Sequence, residues 1–323
     1  MLFTFIFLFT AYQYFTRTKI NNDLSIVTTD STWQAPSLYL DETTKGKERQ
    51  MIIYGEQLIA NTSKYLGPNG TVAHITNGMN CQNCHLAAGT LPWGNNYGAV
   101  YSTYPKYRAR SNKVDGIYAR INDCLERSLN GQSLDTSTYE MQCIYTYIKW
   151  LGKNVERGKK PYSSGLPPLT FMDRAADVEK GKLVYTNTCQ RCHGNNGAGV
   201  KYVGLAGYQY PPLWGNDSYN DGAGLYRISR FASFIKSNMP YDQATHNNPT
   251  LTNDQAWDVA AFVNSQPRPH KDQSGDWGNI SKKAIDEPFG PYVHGYSELQ
   301  HKYGPYKPID DYYKNLNAGL IKK

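Results

Sequence analysis

Apolar residues recur every three or four positions in several stretches of the chain, and this spacing is typical of helices with one buried face. In the first half it predicts helices over 46–66, 114–129 and 138–151. Gly67-Pro68 ends the first of these helices, and Asn130-Gly131 ends the second. We therefore expect the first half to fold as a helical domain.

The second half repeats this plan. The spacing predicts a helix over 175–188, a short helix that ends in the sequence FIKSNMP, and a last helix over 251–266. Between the halves, the segment GKNVERGKKPYSSGLPPL is rich in Gly, Pro and Lys, as interdomain linkers are. We predict an all-α protein with a first domain over 46–158 and a second domain over 172–268.

The two ends of the chain differ from these domains. Residues 21–45 are polar and predict a linker or surface arm, and residues 269–323 are aromatic and Pro-rich, so we expect an extended tail that wraps the surface. Residues 1–20 begin MLFTFIFLFTAYQYF, which has about the length of a signal-peptide core and is short for a membrane span. This stretch lacks a basic start and an A-x-A site. A cleaved signal peptide and a retained N-terminal anchor are both compatible with it.

Composition narrows the class of protein. The 323 residues include 27 Tyr and 28 Gly, and the mean hydropathy of −0.62 is low. Small domains whose cores are partly replaced by a cofactor fit these values. The net charge is +7, with the basic residues spread along the chain. Because no nucleic-acid motif is present, we expect this charge to attract small anions or an acidic redox partner rather than nucleic acid.

The chemistry begins with two pentapeptides, CQNCH and CQRCH. In the C-x-x-C-H motif two thiols attach a c-type haem covalently, and the histidine ligates its iron. A pair of disulfides or a zinc site is the alternative, but zinc ribbons do not need a histidine after each C-x-x-C. We predict two covalently bound haem c groups. The residues that hold them are Cys81, Cys84, His85, Cys189, Cys192 and His193. Such attachment in bacteria occurs outside the cytoplasmic membrane, so we expect the protein in the periplasm.

Each iron also needs a ligand on its far side. In the second half, Met239 lies 46 positions after His193 and is followed by Pro240. Met172 is the other methionine of this half, and it precedes the haem motif. A methionine that fills a gap in a core is the common alternative. The spacing favours Met239 as the ligand of a His/Met haem.

In the first half, the residue at a similar distance after the haem pentapeptide is a cysteine. Cys124 lies 39 positions after His85, and Met141, the only later methionine of this half, lies on the apolar face of its helix. A buried free cysteine is most often a small apolar residue, and this reading fits Cys143. Both readings of Cys124, an iron ligand and a core residue, stay open at this point.

The helical neighbours of Cys124 favour a role in a reactive site over a role as a core residue. Arg120, Arg127 and Ser128 lie one turn away on the predicted helix. Two guanidinium groups and a hydroxyl are expected to lower the pKa of the thiol and to form an anion pocket. The stretch YPKYRARSNK just upstream adds four more basic residues. These are Lys106, Arg108, Arg110 and Lys113. We expect Lys106 and Lys113 to belong to a solvated face.

These motifs resemble the dihaem thiosulfate dehydrogenases, which also act as tetrathionate reductases. The specific likeness is in RINDCLERSLNG, MNCQNCHL and the PWG and YPKYRARSNKV segments. The second half adds CQRCHG, PPLWG, SYNDGAG, FIKSNMP and LTNDQAWDVAAFV, which many c-type cytochromes share. The resemblance implies two class I cytochrome c-like domains in tandem, and it covers both.

The resemblance also implies ligands and an active site. It gives the first haem His85 and Cys124, and it gives the second haem His193 and Met239. It places the active site at Cys124, with Arg120 and Ser128 as substrate contacts. Some members have a lysine before the methionine that competes for the iron. Here Asn238 stands at that position, so fixed methionine ligation is expected.

The implied function is the oxidative coupling of two thiosulfates to tetrathionate, or the reverse reduction. Electrons are then expected to pass from the first haem to the second and on to a small c-type cytochrome. Contact with a membrane is expected only through an N-terminal anchor. The alternatives are a dihaem electron-transfer cytochrome without a substrate and a dihaem peroxidase. A peroxidase needs a haem with an open position, and ligands at Cys124 and Met239 argue against it.

Overall fold

The computed structural model describes residues 32–318 and 320. The predicted leader over 1–20, and the part of the predicted arm over 21–31, lie outside the described residues. Within the described part, no helix combines the length and the apolar character needed to cross a membrane.

The first domain is helical with one short hairpin. Besides short helical turns at Cys81–Asn83 and Leu86–Gly89, its helices are α1 (Gly46–Ala60), α2 (Thr62–Leu66), α3 (Val100–Thr103), α4 (Ile117–Arg127) and α5 (Tyr139–Leu151). Strands β1 (Lys106–Arg108) and β2 (Lys113–Asp115) pair antiparallel. Helices α1 and α5 cross at Gly55, where a Cβ atom would lie 2.2 Å from the backbone oxygen of Cys143. A residue without a side chain is therefore required for the helices to approach this closely.

The second domain repeats the same crossing. Its elements are α6 (Val178–Val184), a π-helical stretch (Tyr185–Cys189), α7 (Gln190–His193), β3 (Val200–Lys201), β4 (Tyr208–Tyr210), α8 (Ile228–Asn238) and α9 (Asn253–Ser265). At Gly181, on α6, a Cβ atom would lie 1.9 Å from the backbone oxygen of Asp258, on α9. The two domains are thus copies of one helical plan, which confirms the all-α tandem architecture.

The predicted helix boundaries differ from the observed ones in specific places. Helices α5 and α9 begin within two residues of the predicted positions, and the hydroxyl groups of Thr138 and Thr252 accept hydrogen bonds from the first turn of each helix. The stretch 46–66 is interrupted at Asn61, which separates α1 from α2. The predicted helix over 114–129 starts only at Ile117, because Val114 lies in strand β2 and is exposed.

The tail contains two helices that were not predicted, α10 (Glu298–Tyr303) and α11 (Lys307–Asn317). Tyr306 and Ile309 are buried in the core of the second domain. Asp286 accepts hydrogen bonds from Arg227 of that domain, at 2.7 Å from Nε. Toward the first domain, the backbone N–H of Trp277 donates to the backbone oxygen of Arg110 at 2.7 Å. The tail therefore joins both domains rather than only covering their surface.

The two domains also share a hydrophobic cluster. Leu125 and Leu129 of the first domain pack in it with Tyr208, Tyr219 and Ala223 of the second. The helix that carries Cys124 is therefore in direct contact with the second domain, and the site described next lies at this junction.

Candidate active site

A cavity of about 630 Å³ lies where the first domain, the second domain and the tail meet. The first haem pentapeptide and one face of α4 form its first-domain wall. The second domain contributes Leu225 and Arg230, and the tail contributes Trp277 and Lys282. Cavities of about this size are typical of cofactor sites. The interdomain segment also contributes Lys160, so the cavity depends on the packing of four parts of the chain.

The residues of the first pentapeptide fit a covalently bound haem. Cys81 and Cys84 are free thiols on the cavity wall. The Nδ1–H group of His85 donates to the backbone oxygen of Asn95 at 2.6 Å, which leaves Nε2 free to ligate iron. Burial lowers the pKa of His85 to about 4, so its ring is neutral, as a metal ligand must be.

The second pentapeptide has the same arrangement. Cys189 and Cys192 are free thiols, and the Nδ1–H group of His193 donates to the backbone oxygen of Pro211 at 2.8 Å. Met239 directly follows α8 and is only partly buried against the core of this domain, whereas Met172 is part of that core. These residues fit a second haem, and the burial of Met172 agrees with the choice of Met239 as its far-side ligand.

Helix α4 brings together the three residues predicted to carry the chemistry. Arg120, Cys124 and Ser128 follow one another at intervals of one helical turn, and all three line the cavity. The Arg120 guanidinium lies 2.8 Å from the carboxylate of the neighbouring Asp123, so Arg120 keeps its charge. The arrangement places a fixed cation and a hydroxyl on either side of a thiol.

The predicted ionisation of Cys124 needs correction. Burial raises the pKa of the thiol, and the charge of Arg120 lowers it by less, so the net pKa lies above the ordinary value. The neighbouring charges alone predict a lowered pKa, and the burial of the thiol, which outweighs them, depends on residues distant in the sequence. The protein part of the site therefore keeps Cys124 as a thiol, and ligation to a metal ion is what deprotonates such a group.

Arg127 lines the same cavity as Cys124, but its guanidinium is bound by two carboxylates. Its Nε lies 2.7 Å from the Asp123 carboxylate, and a second nitrogen lies 2.8 Å from the carboxylate of Asp276 in the tail. Besides Arg120, the arginines that lower the pKa of Cys124 are Arg108 and Arg110. The anion pocket is thus formed by α4 together with the hairpin region, and Arg127 ties α4 to the tail.

Both domains of the chain match profiles of known protein families, and the whole chain has similar relatives. The profile described as "SoxA/TsdA, cytochrome c domain" matches residues 72–156, and the profile "Cytochrome c" matches residues 178–267. A thiosulfate dehydrogenase of Allochromatium vinosum is 34% identical over 232 residues, which cover 70% of this chain and 82% of that protein. One of Stutzerimonas stutzeri is 34% identical over 220 residues, 68% of each chain. The chain belongs to the thiosulfate dehydrogenase family.

A solved structure supports the same family assignment. The thiosulfate dehydrogenase (TsdBA) from Marichromatium purpuratum superposes with a TM-score of 0.68 at 28% identity, over 82% of this chain. The match covers 54% of that chain, so the present chain spans about half its length. With two cytochrome c domains, this member of the thiosulfate dehydrogenase family carries two covalently bound haem c groups, as predicted.

Within this member of the family, Asp123 is a site residue that was not predicted from the sequence. Its carboxylate lies 2.8 Å from Arg120, 2.7 Å from Arg127 and 3.6 Å from Arg108. Burial raises the pKa of Asp123, but the surrounding arginines lower it by more, so the carboxyl is ionised. The available signal was an acid directly before Cys124 with arginines three positions before it and four after it.

The prediction that Lys106 belongs to a solvated face is only partly right. This residue is exposed, but it also lines the cavity, and its Nζ lies 4.7 Å from the ring centroid of Tyr104 on the same wall. Lys113 is exposed and does not line the cavity.

Proposed function

We propose that this protein couples two thiosulfate ions oxidatively to one tetrathionate ion, and catalyses the reverse reduction, in the cavity that Cys124 lines. The names of its relatives support this substrate. The observation that carries the proposal is that Arg120, Cys124 and Ser128 share one wall with the first haem pentapeptide. A guanidinium and a hydroxyl beside a sulfur suit a small sulfur oxyanion, since they bind its oxygens while the sulfur atoms meet.

We propose that His85 and Cys124 would hold the iron of the first haem, and that His193 and Met239 would hold the iron of the second. Two bound haems would supply sites for the two electrons of the reaction on the way to a small c-type cytochrome, and a thiolate ligand gives a lower potential than a methionine. The side chain of Asn238 supports fixed methionine ligation. It is buried and donates hydrogen bonds to two backbone oxygens, so it is not available to compete.

The proposed coupling of two thiosulfates takes place at Cys124 in two steps. The Cys124 thiolate and the outer sulfur of one thiosulfate form a Cys–S–S–SO₃⁻ adduct and release two electrons. The outer sulfur of a second thiosulfate then attacks the sulfur bonded to Sγ. This forms the central S–S bond of tetrathionate, breaks the bond to Sγ, and returns its electron pair to Cys124 as a thiolate. Arg120 offsets the repulsion between the two dianions, and Ser128 donates to a substrate oxygen.

The proposed location is the periplasm. Bacteria attach haem c outside the cytoplasmic membrane, and the apolar stretch over 1–20 suits either an export signal or an N-terminal anchor. A small c-type cytochrome is the kind of electron acceptor that such a location provides.

The proposal is tested with Arg120→Ala in steady-state assays of thiosulfate oxidation and tetrathionate reduction. Losing one charged hydrogen bond to the substrate costs about 1.5–3 kcal/mol, so kcat/KM is expected to fall by about 10–150-fold with the haem spectrum largely kept. Arg49→Ala is the control, because this arginine lies on α1 and does not line the cavity. A wild-type protein that turns over neither anion would overturn the proposed function.

Met239→Gly is expected to separate the two haem sites. Met239 lies in the second domain and is not on the cavity wall, so the substrate adduct at Cys124 should still form. Steady-state turnover should fall, because electrons leave through the second site. The adduct is measured by mass spectrometry of the protein after thiosulfate treatment, and turnover is measured with a cytochrome acceptor. A folded variant that no longer forms the adduct would contradict this division of roles.

A further inference from the structure

Four basic side chains line the active-site cavity without an ion pair to a carboxylate in the described part of the chain. Lys282 in the tail is one of them, and the other three are Lys106 on β1, Lys160 in the interdomain segment and Arg230 on α8. Within the part of the chain that the structure describes, none of the three forms an ion pair with an acidic side chain. The other basic residues deep in this region are compensated: Asp123 pairs with the arginines of α4, and Arg227 pairs with Asp286.

The three cations are close enough to interact. The pKa of Lys106 is lowered by burial first, and then by the charges of Arg108, Arg120, Lys160 and Arg230. The position of Lys106 is defined by the ring of Tyr104, which lies beneath its ammonium group. The Tyr104 hydroxyl in turn accepts a hydrogen bond from Arg108 at 2.5 Å. The group therefore continues the anion pocket of α4 toward the second domain.

Clustered cations repel one another, and no acidic side chain in the described chain forms an ion pair with any of these three. Asp286, the acid that acts on Arg230, is itself paired with Arg227. Such a cluster at a cavity is stabilised when an anion enters. In the proposed reaction the cavity must hold two sulfonate groups, one at each end of tetrathionate. Arg120 and Ser128 lie beside Cys124 and suit the sulfonate group nearer to that residue. The sulfonate group at the other end of tetrathionate is left without assigned partners.

We propose that Lys106, Lys160 and Arg230 form a second sulfonate subsite, which binds the distant sulfonate of tetrathionate and the second thiosulfate before coupling. This inference rests on the proposed function and names the residues that hold its second substrate. Since Arg230 belongs to the second domain, the subsite requires both domains, although the reacting sulfur belongs to the first.

The test is the triple variant Lys106→Gln, Lys160→Gln, Arg230→Gln in the haem-loaded full chain. Partly exposed charge pairs each contribute a few-fold, so KM for thiosulfate and Kd for tetrathionate are expected to rise about tenfold together, with kcat changed by less than about twofold. Higher salt should weaken binding less in the variant than in the wild type. Kd is measured by calorimetry on the oxidised protein.

Lys64→Gln is the matched control, because Lys64 is also exposed and lies over a tyrosine ring, at 5.3 Å from the Tyr65 centroid, but does not line the cavity. The single variants Lys106→Gln and Lys160→Gln change exposed side chains only, and each should raise KM about twofold to threefold even if the triple variant folds poorly. An active enzyme whose KM and Kd are unchanged in these variants overturns the subsite alone. A wild-type enzyme inactive on both anions overturns the proposed function and this inference with it.

Discussion

Cys124→Met is expected to reduce thiosulfate coupling at least about a thousandfold, as removal of a covalent nucleophile does in other enzymes. Methionine keeps a sulfur of similar softness at the same place on α4, so it can still serve as an axial ligand. A thioether has no free valence to form the Cys–S–S–SO₃⁻ adduct, however. The two-step coupling is therefore blocked while the second domain is left intact. Steady-state assays with thiosulfate and with tetrathionate measure the effect.

The control for this variant is Cys143→Ala. Cys143 is the other cysteine outside the haem pentapeptides, and it is fully buried between α1 and α5, away from the cavity. Its loss should reduce stability slightly and leave turnover near normal. If Cys124→Met also keeps near-normal turnover, the covalent mechanism is wrong. Cys124 would then serve only to set the potential of the first haem, as in a dihaem electron carrier.

The parts of the fold that the sequence predicts are those set by local chemistry. The pentapeptides carry their own chemistry, and Thr138 and Thr252 fix the starts of α5 and α9 through hydrogen bonds within one turn. The grouping of Arg120, Cys124 and Ser128 follows from helical spacing alone. These features need no knowledge of distant residues, so a single sequence is sufficient for them.

The features that the sequence did not predict depend on distant residues. Arg127 is one turn from Cys124 on the helix, but Asp276, 149 positions later, binds its guanidinium. The pKa of Cys124 depends on burial that arises only when both domains and the tail close around α4. The tail itself looked irregular, because α11 places few aliphatic residues on its buried face, chiefly Ile309 beside Tyr306. Periodicity does not report contacts of this kind.

Asp123 shows how these distant contacts act on the site. Among the described residues it is the one carboxylate that forms an ion pair with Arg120, and it also binds Arg127, whose other partner is in the tail. Through this acid, the orientation of the substrate-binding arginine is coupled to the docking of the tail. Hence Asp123 is expected to position Arg120 and to hold the junction together, without itself contacting the substrate anion, which its charge would repel.

Asp123→Asn is therefore expected to impair both structure and substrate binding. Removing one partner of a buried ion pair costs about 3–5 kcal/mol, and since Asp123 and Arg120 are partly exposed we expect about 2 kcal/mol, or a melting temperature lower by about 5 °C. KM for thiosulfate should rise about tenfold as Arg120 loses its orientation. Proteolysis of the tail should be faster, because Arg127 is no longer held between α4 and Asp276. The control is Asp135→Asn, an exposed acid of the same domain whose carboxylate accepts hydrogen bonds from Ser137. A variant with the melting temperature, KM and tail protection of the wild type would show that Arg120 is positioned without Asp123.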